Sequence, residues 1–471
     1  MLVTLLKKEF LEHVLSLRFI VASVLSLVLV TLSLIVLRAD YVQKKEAYDL
    51  NRESYRKEAE RLGDYTQLQM QGIHVDRPPA KLQVSYYGLE KVEDKSTQIM
   101  AFMVPATQGE LYKSPASALF PTPDILYVVA TVLSLMAFVF SYDAVCGERE
   151  SGTMRLMLSY SVPRDRFILA KWLGGYLSLA TPFVIALVVA ALIIFVSRSV
   201  GFTGNQWSAY VLAAVGSLLF IAVMFSIGMF VSSRCARSAT AIMILLFIWV
   251  GMVLFVPNVS PYISNQVKRV TPIDVVENQM RQEIGDLVRE LTQKMEQLGR
   301  EYEPQFRKGG EAAQQAMVEF GERMNVIWKE FQNNTNMVGE RNIRNFENEL
   351  NGQIAVAKII SRLSPVSSYV YIATDVAGTG VRKQLHFMEA LREYQTEFRG
   401  YIGRKTEGAF PFGGSDEEES YDISDMPVFN YAEEPISDRV AGSLLDFGLL
   451  GVEALFFFMA AFVSFLRADV M

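Results

Sequence analysis

The chain has 471 residues, of which 51% are hydrophobic and only 20% are charged, and its formal net charge is −6. A soluble domain is usually less apolar and more charged than this. The sequence has no basic stripe and no zinc-ligand spacing, which excludes nucleic acid as a partner. Its two cysteines, Cys146 and Cys235, exclude a disulfide framework of more than one bridge.

Six apolar stretches are long enough to cross a bilayer, since a transmembrane helix needs about 20 mostly apolar residues. They predict an α-helical integral membrane protein with spans at residues 17–36, 125–142, 172–197, 209–233, 239–257 and 444–466. Before the first span, leucines recur at helical spacing in residues 1–16 and predict an interfacial amphipathic helix. A cleaved signal peptide is rejected, because the first apolar run is too long and no cleavage site follows it.

Lysine and arginine residues concentrate at one set of span ends, and the positive-inside bias of short loops therefore orients the chain. With the N-terminus inside, the cytoplasmic ends carry Lys7, Lys8, Arg18, Arg149, Arg155, Arg164, Arg166, Lys171, Arg234, Arg237 and Arg467. The short outer loop at residues 198–208 carries only Arg198. We therefore predict that both termini are cytoplasmic, and that both cysteines lie where thiols stay reduced.

In this topology residues 1–37 form the interfacial helix and span 1, residues 125–257 hold spans 2 to 5, and residues 443–471 form span 6 and a short tail. Two long segments lie outside, and they make the outer region mainly helical with some β structure. In the first, residues 38–124, alternating apolar side chains at 81–87 predict a strand. The second outer segment is residues 258–442.

Heptad-like apolar residues at 274–303 and 311–360 predict two long helices, which pack as an antiparallel hairpin turning near residues 308–310. A break is expected at 333–339, where asparagines and Gly339 cluster. The acid- and Gly-rich composition of residues 400–434 indicates a solvated linker rather than a calcium site, because no EF-hand spacing accompanies it. The Ser-Pro stretches at 114–117 and 364–367 are expected to rest on the outer membrane surface.

The charged loop between spans 2 and 3, residues 143–171, carries the functional prediction, and we call it the coupling loop. Glu148, Arg149 and Glu150 place fixed charges beneath the membrane, and Asp143 is expected to pair with a neighbouring arginine or to help orient the loop. Ser151 is a candidate N-cap. Residues 153–158 then predict a short helix with an apolar face, suited to a groove in a partner protein. An ordinary interfacial turn is the alternative on pattern alone.

The run GERESGTMRLML at residues 147–158, followed by SVPR at 161–164 and KWLGG at 171–175, closely resembles the permeases of ABC type-2 transporters. The N-terminal LLKKEF at residues 5–10 looks like the connecting helix of that family. Six spans with a long outer insertion between spans 5 and 6 also match its layout. The large outer segment after span 1 is similar to that of a bacterial subgroup.

This resemblance implies a permease subunit in the bacterial inner (plasma) membrane, paired with an identical or paralogous permease chain and two copies of an ABC ATPase subunit. It implies that ATPase coupling falls to Asp143, Glu148, Arg149, Glu150, Ser151, Gly152, Thr153, Arg155 and Leu156. The chain has no Gly-x-x-x-x-Gly-Lys-Ser/Thr phosphate loop, so we expect no catalytic residues, metal or cofactor in it. ATP and magnesium would bind the partner ATPase.

Two acidic residues in the last span, Asp446 and Glu453, lie seven residues apart on one helix face, and such residues often mark a pathway. We expect Asp446 to be wet near the outer boundary; for Glu453 a place in the bundle interior stays open. A membrane sensor or scaffold is one alternative function, although its inner loops are too short for a signalling domain. An ion-coupled secondary transporter is another, but it would need more intramembrane ionisable groups. Expected contacts are membrane lipid and an extracytoplasmic protein partner.

Overall fold

The computed structural model describes residues 2–90, 96–100, 106–107, 123–154, 163–197, 199–406 and 421–467. Within them, six helical stretches are long and apolar enough to cross a membrane. Spans 1 to 6 are Leu17–Arg61, Ile125–Glu150, Arg164–Val196, Gly204–Arg234, Ser238–Val267 and Ile436–Arg467. The six predicted spans are confirmed, and the chain is an α-helical integral membrane protein.

The elements follow one another in a simple order. The helices are α1 (Leu2–Val14), α2 (Leu17–Arg61), α3 (Tyr65–Gln71), α4 (Ile125–Tyr127), α5 (Ser134–Ser141), α6 (Cys146–Glu150), α7 (Arg164–Val196), α8 (Gly204–Arg234), α9 (Ser238–Trp249), α10 (Val256–Val267), α11 (Ile273–Phe306), α12 (Gly310–Ser361), α13 (Pro365–Ala377), α14 (Val381–Lys405) and α15 (Ile436–Arg467). Single π-helical stretches at Val128–Leu133 and Val250–Phe255 interrupt spans 2 and 5.

Span 4 is the centre of the bundle. It packs against spans 2, 3 and 6 and against α13, and its Phe220 and Phe225 are fully buried. Small residues permit this close packing: a Cβ on Gly228 would collide with Ser141 of span 2. Span 4 also contacts span 5, so it touches four of the other five spans and joins the bundle together.

The ends of the bundle differ in what they carry. Arg18 at the start of span 1 pairs with Asp143, and Arg164 at the start of span 3 donates to the Leu466 carbonyl at 3.1 Å. The start of span 1, the coupling loop and the end of span 6 therefore meet at one end, which we call the near side. The opposite end, the far side, carries the two long connecting segments.

A long helical hairpin, α11 and α12, dominates the far side. Its helices and the turn between them confirm the heptad prediction, and α12 runs for 52 residues, about 78 Å, without a break. The predicted break at 333–339 is wrong. Thr335 and Gly339 are buried within the helix interface, so tight packing outweighs the roughly 1 kcal/mol helix penalty of a glycine.

The small sheet of the far side lies where the sequence did not predict it. Its antiparallel strands, in the order β1-β2-β3, are β1 (Ile73–Asp76), β2 (Ser96–Ile99) and β3 (Ala106–Thr107). The predicted strand at 81–87 is instead a 3₁₀ helix, Lys81–Val84. Leu82, Gln83 and Val84 are all buried, so the alternation of residue types did not correspond to two different faces.

The helix α13 enters the bundle rather than lying on its surface. Ser364 caps it by accepting from the Val366 N–H at 3.3 Å, and its hydroxyl also donates to the Met252 carbonyl. Tyr369 of α13 stacks on Phe220, in the middle of span 4, at a centroid distance of 5.0 Å. The expected surface position of residues 364–367 is therefore wrong, while the similar stretch at 114–117 lies outside the described residues.

Buried charges join the segment after span 1 to α14. We call the end of α2, this segment, α14 and residues 421–431, which share one hydrophobic core, the far-side module. Glu90 forms an ion pair with Lys383, and its carboxylate lies 3.8 Å from the Arg77 guanidinium. Arg77 also donates to Gln384 at 2.8 Å. Burial opposes ionisation of Glu90, but Lys383 and Arg77 outweigh it, and the pKa of Glu90 is lowered overall.

Replacing Glu90→Gln should destabilise this far-side module by about 3–5 kcal/mol, because two buried cations lose their counter-charge. Pulse proteolysis of the purified chain measures the loss. The control is Glu53→Gln, which removes an exposed ion pair with Lys57 and should change nothing measurable. Because folding lowers the pKa of Glu90, its carboxylate contributes fully to stability at pH values above the ordinary pKa of glutamate. This contribution is lost as the pH falls through the lowered pKa of the folded state. Equal stability of the two variants would show that the contacts of Glu90 with Lys383 and Arg77 do not stabilise the far-side module.

Candidate functional site

The described part of the coupling loop forms a short helix tied to span 4. The backbone N–H groups of Val145 and Cys146, at the start of α6, donate to the Ser232 hydroxyl at 3.0 and 3.2 Å. Ser151 ends α6, and its N–H donates to the Gly147 carbonyl at 2.9 Å. Most of the helix predicted at 153–158 lies outside the described residues, so the N-cap role of Ser151 stays a prediction.

The turn after α6 needs a glycine. Gly152 has a φ of +76° and nothing within 4 Å of an added Cβ, so conformation rather than space requires a glycine here. Thr153 is exposed, and its hydroxyl donates to the Glu148 carboxylate. Arg155 and Leu156 of the predicted short helix lie outside the described residues.

A buried lysine joins three elements at this site. Lys171 of span 3 lies 2.9 Å from the Glu148 carboxylate of α6 and 3.1 Å from the Glu9 carboxylate of α1. The lysine side chain is 7% exposed, so these ion pairs are shielded from water. Removing one partner of such a cluster leaves a buried charge uncompensated. The three elements should therefore move together.

Asp143 confirms its predicted pairing with an arginine. Both of its carboxylate oxygens accept from the Arg18 guanidinium, at 2.7 and 3.0 Å. Arg18 also donates to the Tyr142 hydroxyl at 3.1 Å. A bidentate pair of this kind fixes orientation as well as distance, so spans 1 and 2 are held together at the near side.

Glu150 and Arg149 contact the turn between spans 4 and 5. The Glu150 carboxylate accepts from the Ser238 N–H at 3.0 Å and from its hydroxyl at 2.9 Å, at the start of α9. A carboxylate is favoured there by the exposed N–H groups and the helix dipole. Arg149 donates to the Cys235 carbonyl at 3.3 Å. Together with the contacts above, α6 and its flanking residues contact spans 1, 3, 4 and 5, and Lys171 of span 3 joins them to α1.

Glycine residues seat α1 on span 3. A Cβ on Gly174 would lie 2.7 Å from the Glu9 Cβ, closer than real Cβ atoms approach one another. One on Gly175 would lie 2.6 Å from the Phe225 ring of span 4. The run of two glycines after Lys171 was the sequence signal for this close approach, although Glu9, Lys171 and Gly174 were not predicted as site residues.

A cavity of about 610 Å³ opens between α1 and the coupling loop. Most of the residues that line it are polar or charged: Lys8, Glu9, Glu12, His13, Ser16, Arg18, Asp143, Ala144, Gly147, Glu148, Ser151, Thr153 and Lys171. Ser151 and Thr153 are exposed at its edge. The site therefore has the room and the charges to receive a polar segment of another protein.

The acidic residues of span 6 lie apart from this cluster. Asp446 is 1% exposed and pairs with Arg362 through two contacts of 2.7 and 2.8 Å, so its expected wet position is wrong. The reason is that the end of α12 brings Arg362 beside span 6. Glu453 is half-buried, and its Oε2 has no hydrogen-bond partner within the described part of the chain. A pathway role for either residue stays a prediction.

The fold and the site define a multi-pass helical membrane protein whose near-side helices are joined by buried ion pairs. A family model described as ABC-2 family transporter protein matches residues 3–470, and the chain belongs to this family. The resemblance seen in the sequence is thereby confirmed.

Curated relatives give a partial match. Over 128 residues the chain is 33% identical to the probable ABC transporter permease protein NosY of Pseudomonas aeruginosa, covering 26% of this chain and 45% of the relative. A 123-residue match to the protein of the same name from Stutzerimonas stutzeri is 29% identical and covers the same shares. The chain thus spans less than half the length of these relatives.

Gly174→Ala should loosen α1, because the added methyl group forces Glu9 and the α1 backbone away from span 3. An overpacked contact of this kind costs about 1–3 kcal/mol, and thermal unfolding of the purified chain, followed by tryptophan fluorescence, reports the loss. Gly451→Ala in span 6 is the matched control, since nothing lies within 4 Å of an added Cβ there. An unfolding temperature equal to that of the control would show that α1 is not seated on Gly174.

Proposed function

We propose that this chain is the membrane-spanning permease subunit of an ABC-2 exporter-like transporter, coupled to ATP hydrolysis in a separate ATPase subunit. The observation that carries the proposal is that α6 and the residues beside it form ion pairs and hydrogen bonds with spans 1, 3, 4 and 5 and are joined to α1 through Lys171. An element with so many partners passes a displacement at the membrane surface to the whole bundle.

The ATPase would contact the exposed residues Ser151, Gly152 and Thr153 and the polar cavity beside them. Its movement would push α6, and the Glu148–Lys171–Glu9 cluster would carry that push into span 3 and α1. Breaking one buried partner costs about 3–5 kcal/mol, which favours motion of these elements as a unit. ATP and magnesium belong to the ATPase, which we expect in two copies.

A second permease chain, identical or paralogous, would complete the translocation path. Span 5 supports such pairing, because it is the least buried of the six spans and presents Phe247, Val250 and Phe255 outwards. In a membrane, lipid covers the part of this surface that the second chain leaves free. The output of the pair is transport across the membrane, or force passed to the far side through the unbroken α12.

In the orientation we propose, the near side faces the cytoplasm of a bacterium and the far side lies outside the inner membrane. The lysine and arginine residues of the near-side loops support this orientation. Both native cysteines are buried, so neither is suited to labelling with a water-soluble reagent.

Single-cysteine variants test the orientation. In a chain carrying Cys146→Ala and Cys235→Ser, Ser151→Cys on the near side and Lys308→Cys at the hairpin turn each add one exposed thiol. An impermeant maleimide applied to intact spheroplasts should label Lys308→Cys and should reach Ser151→Cys only after permeabilisation. The reverse pattern would place the coupling loop outside and remove the basis for ATPase contact.

Gly152→Pro should abolish co-purification of the ATPase with the tagged chain. Proline fixes φ near −65°, which is incompatible with the +76° of this turn, so the chain that follows is redirected. Gly63→Pro is the matched control, because Gly63 also has a positive φ (+68°) and open space but lies on the far side. ATPase recovery is normalised to folded chain by gel filtration. Equal recovery with both variants would exclude the coupling loop as the contact.

A further inference from the structure

The far-side module contains a second cavity, of about 190 Å³, away from the coupling site. Its walls come from the end of span 1, from β1, from α14 and from residues 423–429. Cavities of about 150 Å³ are large enough for benzene, so this one admits a single ring or a branched alkyl group. A mixture of aromatic and charged side chains lines it, as in many small-molecule sites.

One wall is the far-side end of α2. Tyr48, Arg52, Tyr55 and Arg56 are spaced so that they share one helix face, and all four line the cavity. Arg56 pairs with Glu60 at 3.2 Å, whereas the described part of the chain offers no ion-pair partner to Arg52. The exposed Arg52 guanidinium is therefore available to an anionic group at the rim.

The opposite charge comes from β1. Asp76 is 9% exposed, and its Oδ2 accepts from the Asn51 amide at 2.7 Å. Its Oδ1 is buried and accepts no hydrogen bond within the described residues. A buried carboxylate oxygen without a donor is costly, and an N–H group of a ligand would satisfy it.

Aromatic side chains complete the cavity. Tyr55 lies 5.3 Å from His74 between ring centroids, and Tyr394 lies 5.3 Å from Phe429. Burial raises the pKa of Tyr394, whose neutral hydroxyl donates to the Pro427 carbonyl at 2.8 Å. This bond holds the loop of residues 423–429 against the cavity, so the apolar wall is fixed in place.

We propose that this cavity binds a small zwitterion with an apolar body, of the kind represented by a free hydrophobic amino acid. Its ammonium group donates to Asp76, its carboxylate contacts Arg52, and its apolar side chain lies between Tyr394 and Phe429. A simple cation is disfavoured by Arg52 and Arg56 at the rim, and a simple anion leaves Asp76 unsatisfied. The proposal does not depend on ATPase coupling.

Calorimetry on the full-length chain in nanodiscs tests it with three matched probes: L-phenylalanine, phenethylamine without the carboxylate, and 3-phenylpropionate without the amine. L-Phenylalanine should bind saturably, and each analogue should bind at least about tenfold more weakly, since a hydrogen bond to a charged group is lost. If either analogue binds as tightly as L-phenylalanine, the zwitterion assignment is wrong. L-Leucine and L-methionine extend the panel, and no saturable binding by any of the three amino acids overturns the proposal.

Variants assign the two ends of the ligand. With Asp76→Asn the ligand amine loses its partner, so 3-phenylpropionate and L-phenylalanine should bind with equal affinity. With Arg52→Gln the ligand carboxylate loses its partner, so phenethylamine and L-phenylalanine should bind with equal affinity. Arg52 is exposed, so its variant should fold even if Asp76→Asn does not. Arg300→Gln, on the exposed surface of α11, should leave all affinities unchanged. Affinities that neither Asp76→Asn nor Arg52→Gln alters would place the ligand elsewhere.

Discussion

The near side of this protein depends on one buried cation. Lys171 sits between Glu9 and Glu148, and each of the three residues belongs to a different element. The two carboxylates compensate the buried ammonium group in surroundings that offer it little water, which favours keeping the three side chains together. The position of α1 on span 3 and the position of α6 at the near side are thus set by the same charge.

The parts of the fold that depend on local sequence were predictable. Twenty apolar residues define a span wherever they occur, and heptad spacing defines the hairpin of α11 and α12 without knowledge of any partner. The coupling loop was recognised from its charges and its glycine, and the arginine partner of Asp143 was anticipated. Except for the partner of Asp143, which is Arg18 and lies 125 residues away, these signals lie within a few residues of the feature they predict.

The rest depended on contacts between residues distant in sequence. Glu9 and Lys171 are 162 residues apart, and the hydroxyl that starts α6 comes from Ser232, 87 residues after Val145. No local pattern indicates either contact, because the two partners belong to different elements. Similarly, the apolar residues of α13 indicated membrane contact, but only the packing of Tyr369 on Phe220 shows that this helix enters the bundle.

Helix α2 is continuous for 45 residues, about 68 Å, from Leu17 to Arg61. Arg18 pairs with Asp143 on the near side and Arg52 lines the far-side cavity, and both therefore lie on one continuous helix. A tilt or axial shift of α2 displaces residues at both ends. Thermodynamic linkage then makes any such coupling reciprocal: a ligand in the far-side cavity would alter the affinity for a partner at the near side by the same factor with which that partner alters the affinity for the ligand.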